Sequence, residues 1–472
     1  MSAPKTTFAL YLGNRGMFPG SLMASAREEM TGVLKGLGHD VITLDEGATR
    51  FGAVEKPQEG RIYAEFLRQN KGKYGGIILC LPNFGDENGA MAAFKDADVP
   101  IFIQAYPDEM DKMAPETRRD AFCGKFSIMD VFWQTGIKFT IAKPHTVSPL
   151  SDRFKDNIDY FDRVCRVYGG MKDMVLGAVG ARTTDFKTVR FDEVALQRNG
   201  ITTEAFDLSD VFARMGAVEL TDQAFTNKVE RLRAYTCWDG VPDTALETIT
   251  RLAVVLDQLI DEYGLDAIAL RCWVEMQAQL GISPCVLLSE LNDRNIAAAC
   301  EVDVGNAVAM HALRLASDGP AVCLDWNNNY EDDDDKCILF HCGSVASSMM
   351  AGPGQITDHA ILRNVVGEGR AFGCNVGRIK PGHFTLASSL TAEGKVKLYL
   401  GAGEFTSDTI PPEFFGCAGV AKIDNLQELL LYVGRNGFRH HVSIAPGNVQ
   451  AAMAEAMSNY LGYDVAQPQC GK

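Results

Sequence analysis

Paired cysteines are missing. The chain has 13 cysteines, yet no two stand in a C-x-x-C arrangement. An odd number of scattered thiols, several inside apolar runs such as Ile77-Ile78-Leu79-Cys80-Leu81 and Ala321-Val322-Cys323-Leu324, fits neither a disulfide framework nor a zinc ribbon. Positive charge is also scarce: 45 Lys and Arg stand against 61 Asp and Glu, a net charge of -16 at neutral pH. That leaves no basic face to displace counterions from phosphates, so the expected partner is a small solute and not a nucleic acid. Long apolar runs are lacking too. The stretch Phe8 to Leu12, followed by Gly13-Asn14-Arg15, is too short for a signal-peptide core or a bilayer span, and a cytoplasmic protein without membrane association is expected. Internal repeats and low-complexity tracts are likewise absent.

What is present is ordinary globular material, 46% hydrophobic and 22% charged over 472 residues, more than one hydrophobic core usually serves. The first third alternates apolar strands (Thr7 to Leu12, Asp40 to Leu44, Gly76 to Leu81) with amphipathic helices (Ser21 to Leu37, Glu59 to Asn70), the rhythm of a parallel α/β sheet. Ile101 to Ile103 and Ile137 to Ile141 continue it. The turn Pro82-Asn83-Phe84-Gly85-Asp86 lies at a strand's carboxyl end, where such sheets bind ligands. A helix ends near Gly169-Gly170, and Met174 to Gly180 opens a second α/β series: helix Leu246 to Tyr263, strand Ala267 to Cys272, helix Asp303 to Ala316, strand Ala321 to Asp325. Beyond about residue 346 come glycine-rich segments and alternating strands such as Gly382 to Ala387 and Lys395 to Leu400. The expected fold class is therefore α/β: two successive Rossmann-like parallel α/β domains, residues 1–172 and 173–345, then a mainly β domain, residues 346–472.

Five residues in four places could carry chemistry. Glu301 stands in the apolar stretch Ala298-Ala299-Cys300-Glu301-Val302-Asp303, where a bare carboxylate is costly unless a metal or hydrogen bonds compensate. Asp325 ends an apolar strand. His440-His441 open the strand Val442-Ser443-Ile444-Ala445, and strand alternation would face the two imidazoles opposite ways. His341 lies in Leu339-Phe340-His341-Cys342-Gly343. Each also has an ordinary structural explanation: a helix-start acid, a strand-end turn former, and core or surface histidines. The acidic run from Glu331 to Lys336 reads as a solvated turn, because consecutive carboxylates repel and diverge.

Taken together, Arg271-Cys272-Trp273, Gly281-Ile282-Ser283-Pro284-Cys285, Leu291-Asn292-Asp293, Ala299-Cys300-Glu301-Val302-Asp303, Asp325, His341-Cys342-Gly343 and Gly401-Ala402-Gly403-Glu404 resemble, in order and over most of the chain, the fucose and arabinose isomerase superfamily, above all its fucose-isomerase-like bacterial branch. Sequences related to that branch include isomerases of the sulfonated sugar sulfoquinovose. The resemblance implies a metal-dependent aldose-ketose isomerase working through an enediol. Glu301, Asp325 and His441 would hold a divalent cation, Mn²⁺ or else Co²⁺ or Mg²⁺, and Glu301 and Asp325 would also shuttle the proton. It places His440 and Asn83-Phe84 against the substrate, with Arg271, Trp273 and Trp326 completing the sugar-binding set. His341 would serve as a substrate contact or a fourth ligand. Gly13-Asn14-Arg15 resembles the family segment whose arginine enters a neighbouring subunit's site, which implies a homo-oligomer with shared active sites. A sulfonate could be held by Arg15 or Arg271. A metal-dependent epimerase or hydrolase, or a sugar-binding protein without catalysis, would use the same residues, and the sugar, the metal and the subunit number stay open.

Overall fold

The computed structural model describes residues 4–470. It divides into two compact units, one reaching to Gly169 and taking in Glu455–Gly462, the other formed by Gly170–Ala454 and the segment from Tyr463 onward.

In the first unit, β1 (Phe8–Leu12), β2 (Val41–Thr43), β3 (Gly76–Leu81) and β4 (Ile101–Ala105) form a parallel sheet in the order β2-β1-β3-β4. Every residue of β1, β3 and β4 is buried, which is why these strands are continuous apolar runs and do not alternate. Tyr11, Tyr63, Phe94 and Phe132 interlock in the core. Asp86 caps the helix Glu87–Phe94 by accepting from the Gly89 N–H at 2.7 Å. The expected strand Ile137 to Ile141 does not form. Only Thr140 reaches the sheet edge, donating to the Ile101 carbonyl at 2.7 Å and accepting from the Ile103 N–H at 3.1 Å. Its hydroxyl is tied to Glu455 and Tyr460, and Ile141 turns out to solvent.

The second unit opens with β5 (Met174–Val179), β6 (Ile201–Phe206), β7 (Ala267–Leu270) and β8 (Ala297–Cys300), a second parallel sheet in the order β6-β5-β7-β8. The helix Asp243–Tyr263 lays Ile249, Leu252, Val255 and Leu259 against this layer's core and stops at Gly264 in the left-handed region. The helix Val304–Ser317 is apolar on nearly every side and accordingly buried.

Nine strands make the third sheet: β9 (Val322–Asn329), β10 (Lys336–His341), β11 (Gln355–Asp358), β12 (Phe372–Arg378), β13 (Gly382–Ala392), β14 (Lys395–Phe405), β15 (Cys417–Lys422), β16 (His441–Pro446) and β17 (Asp464–Ala466). Its order is β11-β12-β15-β10-β9-β16-β13-β14-β17, and β14 also pairs with β15, so the strands from β15 round to β14 close into a mainly antiparallel barrel. Two parallel α/β sheets and a β-barrel thus follow one another as expected. One strand changes place: the segment Ala321 to Asp325, read above as part of the second α/β series, is the start of β9 in the barrel, paired with β10 and β16. It runs on to Asn329, so Asp325 lies inside the strand and not at its end.

Candidate metal centre

The site is built where β8 leaves its sheet beside the barrel strands β9, β10 and β16. Glu301 and Val302, directly after Cys300, both take left-handed backbone angles, φ 63° and 58°. That conformation is costly for a non-glycine residue and more so for a β-branched one, about 1–3 kcal/mol each. It is held by Val302 N–H on the Leu270 carbonyl (3.3 Å), Asp303 N–H on the Cys300 carbonyl (3.0 Å) and Val304 N–H on the Val302 carbonyl (2.9 Å). The indole N–H of Trp273 donates to Glu301 Oε1 at 3.0 Å. The other oxygen, Oε2, lies 2.8 Å from His441 Nε2. Asp325 arrives by register: the antiparallel pairing of β9 and β16 sets it opposite His441, with Oδ1 3.4 Å from His441 Nε2.

His441 is oriented from behind. Its Nδ1 lies 2.7 Å from Asp303 Oδ2, and Asp303 also accepts from Arg439, from the Asn306 N–H at 3.0 Å and from Asn306 Nδ2 at 2.7 Å. The Asp303 carboxylate is therefore saturated, and it turns the imidazole so that Nε2 faces Glu301 and Asp325. Burial alone would raise the Asp303 carboxyl, but Arg439 and His441 hold it below the ordinary carboxylate range. Burial likewise opposes the charge on Glu301, yet the bond to His441 prevails and brings its pKa down to about 2. For His441, burial favours the neutral ring, while Cys323, Asp303 and Glu301 around it push its pKa well above the usual imidazole value.

Four buried polar atoms in this small volume, Glu301 Oε2, Asp325 Oδ1, His341 Nε2 and His441 Nε2, have no hydrogen bond to the rest of the protein, the first two meeting only His441 Nε2. Unsatisfied buried groups are rare because each forfeits its solvation, and a convergent set of carboxylate oxygens and imidazole nitrogens is the donor chemistry of a hard-to-borderline divalent cation. Among the described residues, the groupings able to hold a metal are Glu301-His341-His441, Asp325-His440-His441 and Asp303-Cys323-His441. All of them share His441. In the last, Asp303 already has its hydrogen-bond partners. The residues present fit a divalent ion.

The other predicted positions divide clearly. Trp273 joins the group through Glu301. His441 is fully buried and His440 is not, with side chains 1% and 43% exposed. The expected opposite facing of the pair does not hold, because the strand begins only at His441 and His440 precedes the pleat. The two rings lie 4.5 Å apart, and His440 Nε2 comes within 3.8 Å of Asp325 Oδ1. His341 accepts the Cys342 N–H at Nδ1 (2.9 Å). Arg271 is committed to Glu275 at 2.5 Å and to the Ala181 carbonyl at 3.1 Å. Trp326 points its indole N–H at Tyr399, 3.2 Å away, and packs on the barrel core. Arg15, Asn83 and Phe84 form a cluster of their own in the first unit: the Arg15 guanidinium stacks 4.2 Å over Phe84 and pairs with Glu87, and the Arg15 backbone N–H donates to Asn83 Oδ1 at 3.2 Å. Asp303, Arg439 and Phe186 were not singled out in the sequence. A second carboxylate inside the apolar stretch two residues after Glu301 was a usable signal for Asp303. Nothing marked Phe186, whose ring packs on Trp273, His440 and His441.

Fold and site together define a protein with a buried carboxylate-histidine cluster, suited to a divalent cation, set between a parallel sheet and a β-barrel. The comparisons with known proteins agree. The N-terminal domain of the fucose/sulfoquinovose isomerases matches residues 9–172 and the C-terminal domain of L-fucose isomerase matches residues 339–468, together more than half of the sequence. The chain belongs to the fucose/sulfoquinovose isomerase family. A sulfoquinovose isomerase of Priestia aryabhattai is 25% identical over 217 residues, 46% of this chain and 48% of that protein. One of Clostridium sp. (strain MSTE9) is 25% identical over 252 residues, 51% of this chain and 55% of that protein. The chain thus spans about half the length of the curated relatives it matches. A solved periplasmic solute binding protein of an ABC transporter from Actinobacillus succinogenes 130z, with bound D-allose, covers 66% of this chain and 91% of its own at 14% identity, with a TM-score of 0.17. A score that low carries no argument. Among the described residues no helix is long and apolar enough to cross a membrane.

Proposed function

We propose that this protein interconverts the aldose and ketose forms of a monosaccharide with a divalent cation, Mn²⁺ or else Co²⁺ or Mg²⁺, held by Glu301, Asp325 and His441. The observation that carries the reading is the meeting of buried Glu301 Oε2 and Asp325 Oδ1 at His441 Nε2, 2.8 and 3.4 Å away, with no hydrogen bond from any of the three atoms to the rest of the protein. The cation, when bound, supplies Lewis-acid polarisation of the neighbouring carbonyl and hydroxyl oxygens of the sugar. The chain's own residues do the rest. One of Glu301 and Asp325 takes the proton from C2 of the aldose, giving an enediol, and the same carboxyl group then returns a proton to C1, having had time to exchange it with water. The other moves a proton between the two oxygens. Asp303 keeps His441 in the tautomer whose Nε2 lone pair faces the carboxylates. Phe186 and Trp273 wall the site against water.

His341 takes a different part from His441. With Nδ1 accepting a backbone N–H, the neutral ring carries its proton on Nε2, so it serves as a donor to a sugar oxygen and not as a fourth ligand. His440, half-exposed beside Asp325, is a second sugar contact. Arg15 is the residue we assign to a neighbouring chain's site in a homo-oligomer, supported by its fixed posture over Phe84. The relatives' names bring sulfoquinovose into the set of sugars to be tried. The cavity beside Glu301 has no Lys or Arg in its wall, which favours a neutral sugar such as a 6-deoxy aldose at that end. The test is a panel of aldoses and ketoses, sulfonated and 6-deoxy sugars included, incubated with Mn²⁺-loaded protein and scored for the isomeric product. Conversion of none of them would refute the reading.

A further inference from the structure

Under the cavity that borders Glu301, the second unit gathers five thiols from five separate segments. Cys272 follows β7, Cys285 opens the helix Cys285–Asp293, Cys300 ends β8, Cys342 follows β10 and Cys374 lies in β12. Cys272, Cys285, Cys300 and Cys342 line a cavity of about 190 Å³ with Glu301 and His341. A single buried thiol is an ordinary small hydrophobe. These thiols instead lie side by side, and the Cys374 S–H donates to Cys285 Sγ at 3.9 Å.

The close approach of Cys285 and Cys374 is built into the backbone. Ser283 N–H bonds to the Phe372 carbonyl at 2.8 Å, and Gly373 has a φ of +135° at a point where a Cβ would collide with the Ser283 carbonyl. Only glycine lets the two segments come this near. Cys285 accepts the Cys374 S–H, stands at the first turn of a nine-residue helix whose free N–H groups favour negative charge, and opens on the cavity, which Cys374 does not line. The Cys300 and Cys374 thiols beside it, with His359 and His341 nearby, hold the Cys285 thiol below its ordinary range in spite of burial.

We propose that Cys285 is a peroxide-reactive thiol with Cys374 as its resolving partner, so that a hydroperoxide closes a Cys285-Cys374 disulfide beside the site. The Cys285 thiolate attacks one peroxide oxygen. The O–O bond breaks, the departing oxygen leaves as water after taking a proton, and Cys285 becomes a sulfenic acid. Cys374 sulfur then attacks the Cys285 sulfur, the S–O bond breaks, a second water leaves and the S–S bond forms. Two thiols lose two electrons and the peroxide is reduced to two waters. The sulfurs must close from 3.9 Å to about 2.05 Å. The proposal is independent of the sugar reaction.

The test is peptide mapping of the full-length, metal-loaded protein after treatment with hydrogen peroxide and alkylation under native conditions. The expected result is a Cys285-Cys374 cross-linked peptide pair that dithiothreitol reverses. In Cys374→Ser, dimedone should mark Cys285 as the sulfenic acid. The proposal fails if the exposed Cys123 is oxidised while Cys285 and Cys374 remain alkylatable once the protein is unfolded, or if Cys285 is found joined to Cys300. Because the first measurement is made on the unaltered chain, a variant that does not fold leaves the test intact.

Discussion

Replacing Asp303 by Asn should cost metal affinity without touching any proposed ligand. The carboxylate oxygens of Asp303 accept from His441, Arg439 and Asn306, and all of these but His441 can only donate to it. An Asn at 303 has one acceptor oxygen. If that oxygen stays on Arg439, the amide NH₂ faces His441 Nδ1 and must donate to it, which forces the ring proton onto Nε2, where the metal lone pair is needed. Loss of an orienting partner of this kind typically weakens a metal site by about 10–100-fold, or roughly 1.4–2.7 kcal/mol. The same change leaves Arg439, 5% exposed, without its counter-charge, which should destabilise the fold by about 3–5 kcal/mol. The assay is competition of metal-free protein with a fluorescent chelator for Mn²⁺, paired with urea unfolding. An Asp303→Asn protein that binds Mn²⁺ within about twofold of the unaltered chain would refute the orienting role.

Further outcomes follow from the same geometry. Because the surroundings of His441 hold its proton well above the usual imidazole range, metal uptake should release about one proton per site, and affinity should weaken by up to about tenfold per pH unit below the raised pKa; calorimetry in buffers of different ionisation enthalpy counts the proton. Without metal, the stability that His441 contributes is fully present below its unfolded pKa and is lost as pH rises through the raised folded value. That of Glu301, lowered to about 2, is present above its unfolded pKa and is lost as pH falls toward 2, which acid titration of unfolding can follow. Glu301→Gln and Asp325→Asn should each lower turnover by about a thousandfold while the protein stays folded, and retention of a tenth of the activity would exclude that residue as the proton carrier. His341→Gln should raise KM and leave metal stoichiometry unchanged, whereas metal loss by mass spectrometry would make His341 a ligand. An Arg15→Ala chain mixed with a Glu301→Gln chain should regain part of the activity in mixed oligomers, and none if Arg15 serves only its own subunit.

Much of this was legible in the sequence because burial writes itself into pattern. β1, β3 and β4 are covered on both faces and appear as unbroken apolar runs, and Asp243–Tyr263 carries its apolar stripe at helical spacing. β9 was legible only as far as Asp325. Its second half, Trp326-Asn327-Asn328-Asn329, is polar and largely exposed and takes strand form from its pairing with β10, which no local pattern announces. The candidate ligands stood out as polar residues in apolar stretches, but what brings Asp325 to His441 is the register of β9 on β16, and register is a tertiary fact. Strand alternation likewise sends the side chain of Trp326 away from that of Asp325 and toward Tyr399. Asp303 was in plain view beside Glu301. Its role became visible only when Arg439 and His441, more than a hundred residues later, closed around it.

The most direct test of the central claim is to incubate the metal-loaded protein with the aldose it converts in deuterated water and follow the sugar by NMR. Proton transfer by Glu301 and Asp325 through an enediol requires the ketose to appear and to gain deuterium at C1, with no product once the metal is chelated. A ketose that keeps all of the original C2 hydrogen at C1 through many turnovers, or isomerisation that persists in metal-free protein, would contradict the account.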